Sequence, residues 1–319
     1  MQPPTAYLDP AALAPLRHLV FASRRAVTGH YAGQHASPQR GHSVEFRDYR
    51  AYTPGDPLGD VDWKVYGRTD RMFLKQFEHQ SDMAVHLLLD ASASMAYAGP
   101  EPVKRRRTPR RSPRKTPPPT VAGSKFDHAC RLATAIAFLV IQQQDKVALG
   151  LAQGGLHTAL PALGTYPHLH RLGHTLEETR PAGQARLPAA LHAFAPRARL
   201  KGLLVVISDL ADEDPDAVLA ALDRFLHRGH EVIVFQTLHA DELVLPNLGS
   251  VVLVDSETGR ELTTDLDDLR ENYARRIEAH LTRWRRVFGA RGIDHRVVST
   301  ATPYPEVLRD YLFTRASLR

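Results

Sequence analysis

The stretch "MAVHLLLDASASM", residues 83–95, decides what kind of fold this chain can form. Its first seven residues are apolar except for one histidine, and such a run is typical of a strand buried on both faces of a parallel sheet. The run ends at Asp90, and Ser92 and Ser94 follow at alternate positions. Polar side chains directly after a buried strand indicate a site at the end of that strand.

The pattern repeats along the chain. "GLLVVISDL", residues 202–210, is a second apolar strand that ends at an aspartate, Asp209. Between the two strands, residues 126–144 have the apolar spacing of a helix, and further strands and helices alternate after residue 210. This alternation predicts an α/β fold with a doubly wound, mostly parallel sheet of Rossmann-like topology. The segment "GLHTALPAL", residues 155–163, predicts an antiparallel edge strand.

Three regions differ in composition. We assign residues 1–80 to an amino-terminal extension packed on the core, with an amphipathic helix at 11–27, and residues 81–319 to the α/β domain. Residues 99–123 interrupt the domain with proline and a run of like charges, a composition that cannot form a packed core. We therefore predict that this insert is disordered.

The net charge of +6 originates in the insert. Residues 104–115 contain eight of the 41 Lys and Arg residues, and without them 33 basic residues remain against 35 acidic ones, a net charge of −2. The folded part therefore offers no evident basic face for specific nucleic-acid binding. The single cysteine, Cys130, excludes an internal disulfide, and no apolar run approaches the ~18 residues of a membrane span. We expect a cytoplasmic protein.

The residue types at the two strand ends favour a metal site. Mg²⁺ and similar hard cations bind oxygen ligands, and two hydroxyls with one or two carboxylates neutralise such an ion only partly. We therefore predict that Asp90, Ser92, Ser94 and Asp209 hold Mg²⁺ or another divalent cation, which a partner's carboxylate then contacts. The alternative is that these side chains only form a turn and cap the helices that follow.

Longer stretches carry a family resemblance. "VEFRDYRAYTPGD" and "VDWKVYGRT" precede "LLLDASASM", and "SKFDHACRLATAIAFLVIQQQDKVALGL" and "LLVVISDL" follow it. Together they resemble the bacterial domain-of-unknown-function 58 family, and "DASAS" with "ISDL" is similar to the metal-ion-dependent adhesion site of von Willebrand factor A domains. The resemblance implies a von Willebrand A-like domain that is not an enzyme. It also implies a protein partner, a MoxR-type AAA+ ATPase, and an adaptor or chaperone-like role.

One position departs from that family. The family's threonine, which would complete the metal shell, is replaced here by Ala185 in "GQARL", residues 183–187. Gln184 is a poor substitute, and Thr175 and Thr179 belong to the preceding helix. The loss of this hydroxyl predicts a weak or empty metal site.

A Mg²⁺-dependent phosphohydrolase that uses Asp90 as its nucleophile is the alternative function. Such enzymes need a second acid two residues further on, and Ser92 stands there instead. No phosphate-binding loop, dinucleotide fingerprint or G-x-S-x-G elbow is present. We therefore favour a non-enzymatic protein-interaction module.

Overall fold

The computed structural model describes residues 6–21, 45–53, 61–78, 83–100, 121–211, 214–257 and 259–317. The chain forms two compact units. One comprises Ala26–Asp82, and the other comprises Met1–Arg25 together with Met83–Arg319. The candidate site lies in the second unit.

The unit Ala26–Asp82 contains a two-stranded antiparallel sheet of β1 (Glu45–Ala51) and β2 (Phe73–Glu78), with helix α2 (Trp63–Thr69) between them in sequence. Asp62 starts this helix, because its carboxylate accepts hydrogen bonds from the backbone N–H groups of Lys64 and Val65 at 2.9 and 3.3 Å. The helix ends at Asp70, which adopts the left-handed conformation with φ 54°.

The second unit is built on a six-stranded sheet in the order β10-β7-β6-β3-β4-β5. The strands are β3 (Ala84–Asp90), β4 (Lys146–Ala152), β5 (Leu156–Leu163), β6 (Gly202–Ser208), β7 (Glu231–Leu238) and β10 (Asp294–Ser299). All neighbours are parallel except β5, which pairs antiparallel with β4 at one edge. This confirms the predicted α/β class, the mostly parallel sheet and the antiparallel edge strand.

Helices cover both faces of this sheet. They are α3 (Lys125–Gln142), α4 (Tyr166–Glu178), α5 (Leu187–Phe194), α6 (Pro215–His227), α7 (Ala240–Leu243), α8 (Leu266–Gly289) and α9 (Tyr304–Ser317). Two clusters of buried apolar side chains result, one containing α3 and α9 and the other containing α5, α6 and part of α8. Every residue of β3 and β6 is buried, as the uninterrupted apolar runs predict.

The first described segment, residues 6–21, shares the core of the α/β unit. Leu16 and Phe21 are buried there together with helices α3 and α9. The predicted division of the chain at residue 80, with an extension packed on the core, stays a prediction. The predicted helix at 11–27 is also shorter in the described part. Helix α1 (Pro10–Leu13) is followed only by a 3₁₀ turn, because Pro15 has no N–H with which to continue an α-helix.

A second antiparallel hairpin, β8 (Ser250–Val254) with β9 (Glu261–Asp265), lies between β7 and α8 in sequence. It does not join the central sheet. Most of its side chains are exposed, including those of Val252, Leu253 and Val254. Val254 and Asp255, at the end of β8, line a groove at the surface.

The predicted insert at 99–123 lies largely outside the described residues, which include only its two ends. In the part of the chain that the structure does describe, no helix combines the length and the apolar character needed to cross a lipid bilayer.

The tight pairing of β3 with β6 generates a prediction about Gly202. A Cβ atom on Gly202 would lie 2.1 Å from the backbone oxygen of Ala84 on β3, so Gly202→Ala must push the two strands apart. We expect a loss of about 1–3 kcal/mol in the free energy of unfolding, measured in urea.

Gly289, the last residue of α8, provides the matched control. An added Cβ meets nothing within 4 Å there, and alanine favours helix over glycine. Gly289→Ala should therefore raise the free energy of unfolding by up to about 1 kcal/mol. Equal stability of the two variants would contradict the β3–β6 register.

Candidate functional site

The site forms where β3 and β6 end. These strands are parallel neighbours, so their carboxyl ends lie side by side at one edge of the sheet. β3 ends at Asp90, and Asp209 directly follows β6. Both aspartates are 2% exposed, so the arrangement places two acidic side chains in a buried position.

Both carboxylate oxygens of Asp90 accept hydrogen bonds. Oδ1 accepts from the backbone N–H of Ser92 at 2.8 Å, and Oδ2 accepts from the hydroxyl of Ser208 at 2.6 Å. Burial, and then the neighbouring Asp209 carboxylate, raise the pKa of Asp90 to about 7. The neutral form of Asp90 is therefore favoured relative to that of a solvent-exposed aspartate.

The two serines connect Asp90 to Asp209. Ser94 Oγ donates to Asp209 Oδ2 at 2.7 Å, and Ser92 Oγ lies 3.0 Å from Ser94 Oγ. Because the hydroxyl proton of Ser94 is used toward Asp209, Ser92 is the donor to Ser94. The structure thus brings together all four residues that the sequence indicated.

A lysine that the sequence analysis did not consider lies in the same cluster. The ammonium Nζ of Lys125, the first residue of α3, is 2.7 Å from Asp209 Oδ2 and 2.7 Å from Glu242 Oε1. The side chain of Lys125 is only 1% exposed. Burial alone lowers the pKa of a lysine, but the two carboxylates outweigh it and the pKa of Lys125 is raised. Lys125 is therefore charged.

Glu242 is held in place by the short helix α7. Its carboxylate accepts from the backbone N–H of His239 at 2.8 Å, while the His239 ring accepts from the backbone N–H of Asp241, a reciprocal cap of the helix start. The hydroxyl of Tyr273 donates to the backbone carbonyl of Glu242 at 2.6 Å. Glu242 is 30% exposed, so it links the buried cluster to the surface.

The loop before α5 packs beside the serines but adds no hydroxyl. The backbone N–H of Ala93 donates to the carbonyl of Gly183 at 2.8 Å, and the N–H of Ala182 donates to the carbonyl of Ala91 at 2.9 Å. Ala185, which stands where the resemblance implies a threonine, is buried in the apolar cluster with α5 and α6. The oxygen ligand that the family comparison led us to expect from this position is therefore missing.

A groove of about 410 Å³ opens next to the cluster. The serine turn contributes Ser94 and Tyr97, α7 contributes Glu242, and the β8–β9 hairpin contributes Val254 and Asp255. The described residues that line this groove include two carboxylates and no Lys, Arg or His. The described part of the groove is therefore apolar and acidic.

The sequence indicated Asp90, Ser92, Ser94 and Asp209, but it missed Lys125 and Glu242. A signal for Lys125 existed. A lysine in the first turn of a helix lies at the positive end of the helix dipole, where acidic residues are preferred, and the apolar spacing of the rest of this helix predicts that it is largely buried. Glu242 follows the end of β7, the next strand of the sheet, which was a weaker signal.

The residues present do not fit a divalent cation. An ammonium group already contacts Asp209, and the same carboxylate oxygen accepts a hydrogen bond from Ser94. A cation bound at that oxygen would lie within a few ångströms of the Lys125 charge, which it would repel. The predicted Mg²⁺ site therefore stays a prediction that the structure does not support.

The fold and the site define an α/β protein with a buried Asp–Ser–Lys cluster at the carboxyl edge of a mostly parallel sheet. Residues 48–109 and 118–283 match the family described as "Protein of unknown function DUF58". The match spans more than half of the chain, and the chain belongs to this family.

Relatives in mycobacteria are similar over most of their length. The uncharacterized protein Rv1480 of Mycobacterium tuberculosis is 29% identical over 277 residues, which cover 85% of this chain and 80% of the relative. The uncharacterized protein Mb1516 of Mycobacterium bovis gives the same values.

Among solved structures, the conserved hypothetical protein BatB from Bacteroides thetaiotaomicron is similar to this chain with a TM-score of 0.44 and 16% identity. That similarity covers 74% of this chain and 99% of BatB. The manganese-loaded TRAP protein of Plasmodium vivax gives a TM-score of 0.33 and 14% identity, over 48% of this chain and 56% of TRAP. The assignment to the family depends on the sequence match alone.

The buried ion pair generates a prediction about stability. Lys125→Met keeps the length of the side chain but removes its charge, and it leaves Asp209 buried without its cation. We expect the free energy of unfolding to fall by about 3–5 kcal/mol, measured by urea denaturation.

Arg131→Met on the same helix is the matched control. Arg131 pairs with Asp127 at 3.0 Å, but its side chain is 35% exposed, and exposed pairs contribute about 1 kcal/mol or less. If both variants lose the same small amount of stability, the Lys125–Asp209 pair is not the buried contact described here.

Proposed function

We propose that this chain is a non-enzymatic protein-interaction module whose partner binds in the groove beside the Asp–Ser–Lys cluster. The observation that carries the proposal is the exposure of apolar side chains on the β8–β9 hairpin, at the border of that groove. Large apolar side chains grouped on a surface are typical of sites that another protein covers.

The hairpin exposes apolar side chains on both of its faces. Val252 and Val254 alternate with Leu253 along β8, and Leu253 pairs with Leu262 on β9, so the two valines and the two leucines lie on opposite faces. All four side chains are more than 40% exposed. An isolated two-stranded hairpin is only marginally stable in water, and burial of one face by a partner would stabilise it.

The chemistry of the groove indicates what kind of partner segment fits. Val254 supplies apolar surface, and Glu242 and Asp255 supply negative charge. A partner segment with an apolar side chain next to Lys or Arg would match both features. This supports a protein partner with a locally basic contact surface.

The surroundings of Asp90 argue against the alternative phosphohydrolase. A nucleophilic carboxylate needs an oxygen that can reach the substrate. Asp90 is buried, and both of its oxygens already accept hydrogen bonds, from Ser92 and from Ser208. The second acid that such enzymes place two residues later is absent, since Ser92 stands there.

The partner that we propose is a MoxR-type AAA+ ATPase, with this chain in a chaperone-like or complex-assembly role. Membership of the DUF58 family supports the choice, because the sequence resemblance implies this pairing. The proposal can be tested with the two purified proteins from the organism that encodes them.

Val254→Asp should weaken this binding. The side chain of Val254 is 60% exposed at the border of the groove, and an aspartate there would add a third negative charge and remove the apolar contact. We expect the Kd for the ATPase, measured by biolayer interferometry, to rise roughly tenfold or more.

Phe313→Asp is the matched control, because Phe313 is 61% exposed but belongs to α9 and does not line the groove. Its Kd should equal that of the wild type. Binding that both variants keep would exclude the groove as the contact. Turnover of a phosphoester with Mg²⁺ that Asp90→Asn abolishes would favour the phosphohydrolase instead.

A further inference from the structure

We infer that the ammonium group of Lys125 is the built-in cation of the cluster formed by Asp90, Ser92, Ser94 and Asp209, and that the native protein therefore binds no divalent cation there. The inference concerns the isolated protein and does not depend on the proposed partner. It reverses the metal requirement that the sequence motif implies.

The position of Lys125 is the first argument. Its Nζ lies 2.7 Å from the Asp209 oxygen that also accepts the Ser94 hydroxyl, so the ammonium and the serine turn meet at one atom. The other oxygen, Asp209 Oδ1, accepts from the backbone N–H of Ala211 at 3.0 Å, so a divalent ion bound by the serine turn and by Asp209 would compete for the oxygen that Lys125 contacts. The lysine therefore occupies the place where such an ion would be coordinated.

The charge balance is the second argument. The described cluster contains one ammonium, which pairs with two carboxylates, those of Asp209 and Glu242. Buried charges are stable only when partners offset the loss of hydration, and here Lys125 offsets it for Asp209. A divalent ion could enter only if Lys125 gave up both ion pairs. Because the side chain of Lys125 is only 1% exposed, hydration would not compensate for the loss of these pairs.

The missing ligand is the third argument. Mg²⁺ requires near-octahedral oxygen coordination and is sensitive to the number of ligands. Ala185 provides a methyl group buried among apolar side chains at the position that the family resemblance gives to threonine. A lysine makes this hydroxyl unnecessary, because an ammonium is satisfied by fewer oxygen partners.

A built-in ammonium also has a different chemistry from a metal. A bound Mg²⁺ keeps exchangeable water positions, one of which an incoming carboxylate can take. An ammonium offers only hydrogen bonds, and two of those of Lys125 go to Asp209 and Glu242. The acidic groove beside it, lined by Glu242 and Asp255, is accordingly unsuited to an acidic partner residue.

The test is a metal titration of the full chain after treatment with EDTA. Mg²⁺ and Mn²⁺ are titrated by calorimetry, and Mn²⁺ binding is also followed by electron paramagnetic resonance. We expect no saturable binding to the wild-type protein and no rise in Tm beyond that given by a monovalent salt of equal ionic strength. Saturable Mg²⁺ or Mn²⁺ binding to the wild type that Asp209→Asn abolishes would overturn the inference.

The variant Lys125→Ala tests the converse expectation, a gain of metal binding when the ammonium group is removed. Removal of the ammonium leaves Asp209, Glu242 and two serine hydroxyls around the vacated space, and we expect the variant to gain Mn²⁺ binding with a Kd on the order of 1 mM, which is weak because Ala185 still supplies no hydroxyl. Adding Asp209→Asn to this variant should remove the gain. Arg131→Ala on the same helix should behave as the wild type.

A folded Lys125→Ala protein that binds no Mn²⁺ would contradict the idea that Lys125 fills a cation site. Circular dichroism establishes whether this variant is folded. If it is not, the titration of the wild-type protein still decides the inference, since that measurement needs no substitution.

Discussion

The ion pair between Lys125 and Asp209 is the interaction on which the edge of the sheet depends. The mostly parallel sheet places the ends of β3 and β6 next to each other; β3 ends at Asp90 and Asp209 directly follows β6, and each aspartate is 2% exposed. Two carboxylates cannot share a buried position without compensation. Burial and the neighbouring carboxylate raise the pKa of Asp90, and Lys125 neutralises Asp209.

The same chain segment supplies both the hydroxyls and the ammonium. Ser92 and Ser94 follow β3 directly, and Lys125 begins the helix that β3 connects to, so the whole 91–125 connection is anchored at its two ends by Asp209. The backbone N–H of Lys125 also donates to the carbonyl of Tyr97 at 3.0 Å. These contacts fix both ends of the connection, and none of them involves residues between 100 and 121.

Sequence patterns predicted the sheet well because β3 and β6 are buried along their whole length and helical segments lie between most of the strands. The predicted parallel sheet also implied that Asp90 and Asp209 lie close together, because the carboxyl ends of neighbouring parallel strands share one edge of the sheet. Lys125 could not be found in this way. A lysine side chain spans several ångströms, so its partner depends on where α3 begins relative to β6, which no local pattern encodes.

The helix predicted at 11–27 is shorter in the described residues for a different reason. Apolar spacing favoured a helix at 11–27, but Pro15 interrupts it, and the apolar side chains are buried by packing against α3 and α9 instead. Burial of Leu16 and Phe21 is a tertiary effect. Periodicity alone identifies which side chains are buried, and it does not tell which part of the chain buries them.

Glu242 connects the buried cluster to the groove. Its carboxylate contacts Lys125 on one side and lines the groove on the other, with 30% of the side chain exposed. A basic side chain of a partner that reached Glu242 would share this carboxylate with Lys125, and Lys125 would then interact more strongly with Asp209. Because Asp209 also accepts a hydrogen bond from Ser94, such a contact would stabilise the serine turn, which also lines the groove. The cluster would thereby act as a rigid support for binding, which is a role that requires neither a free nucleophile nor an exchangeable metal ion.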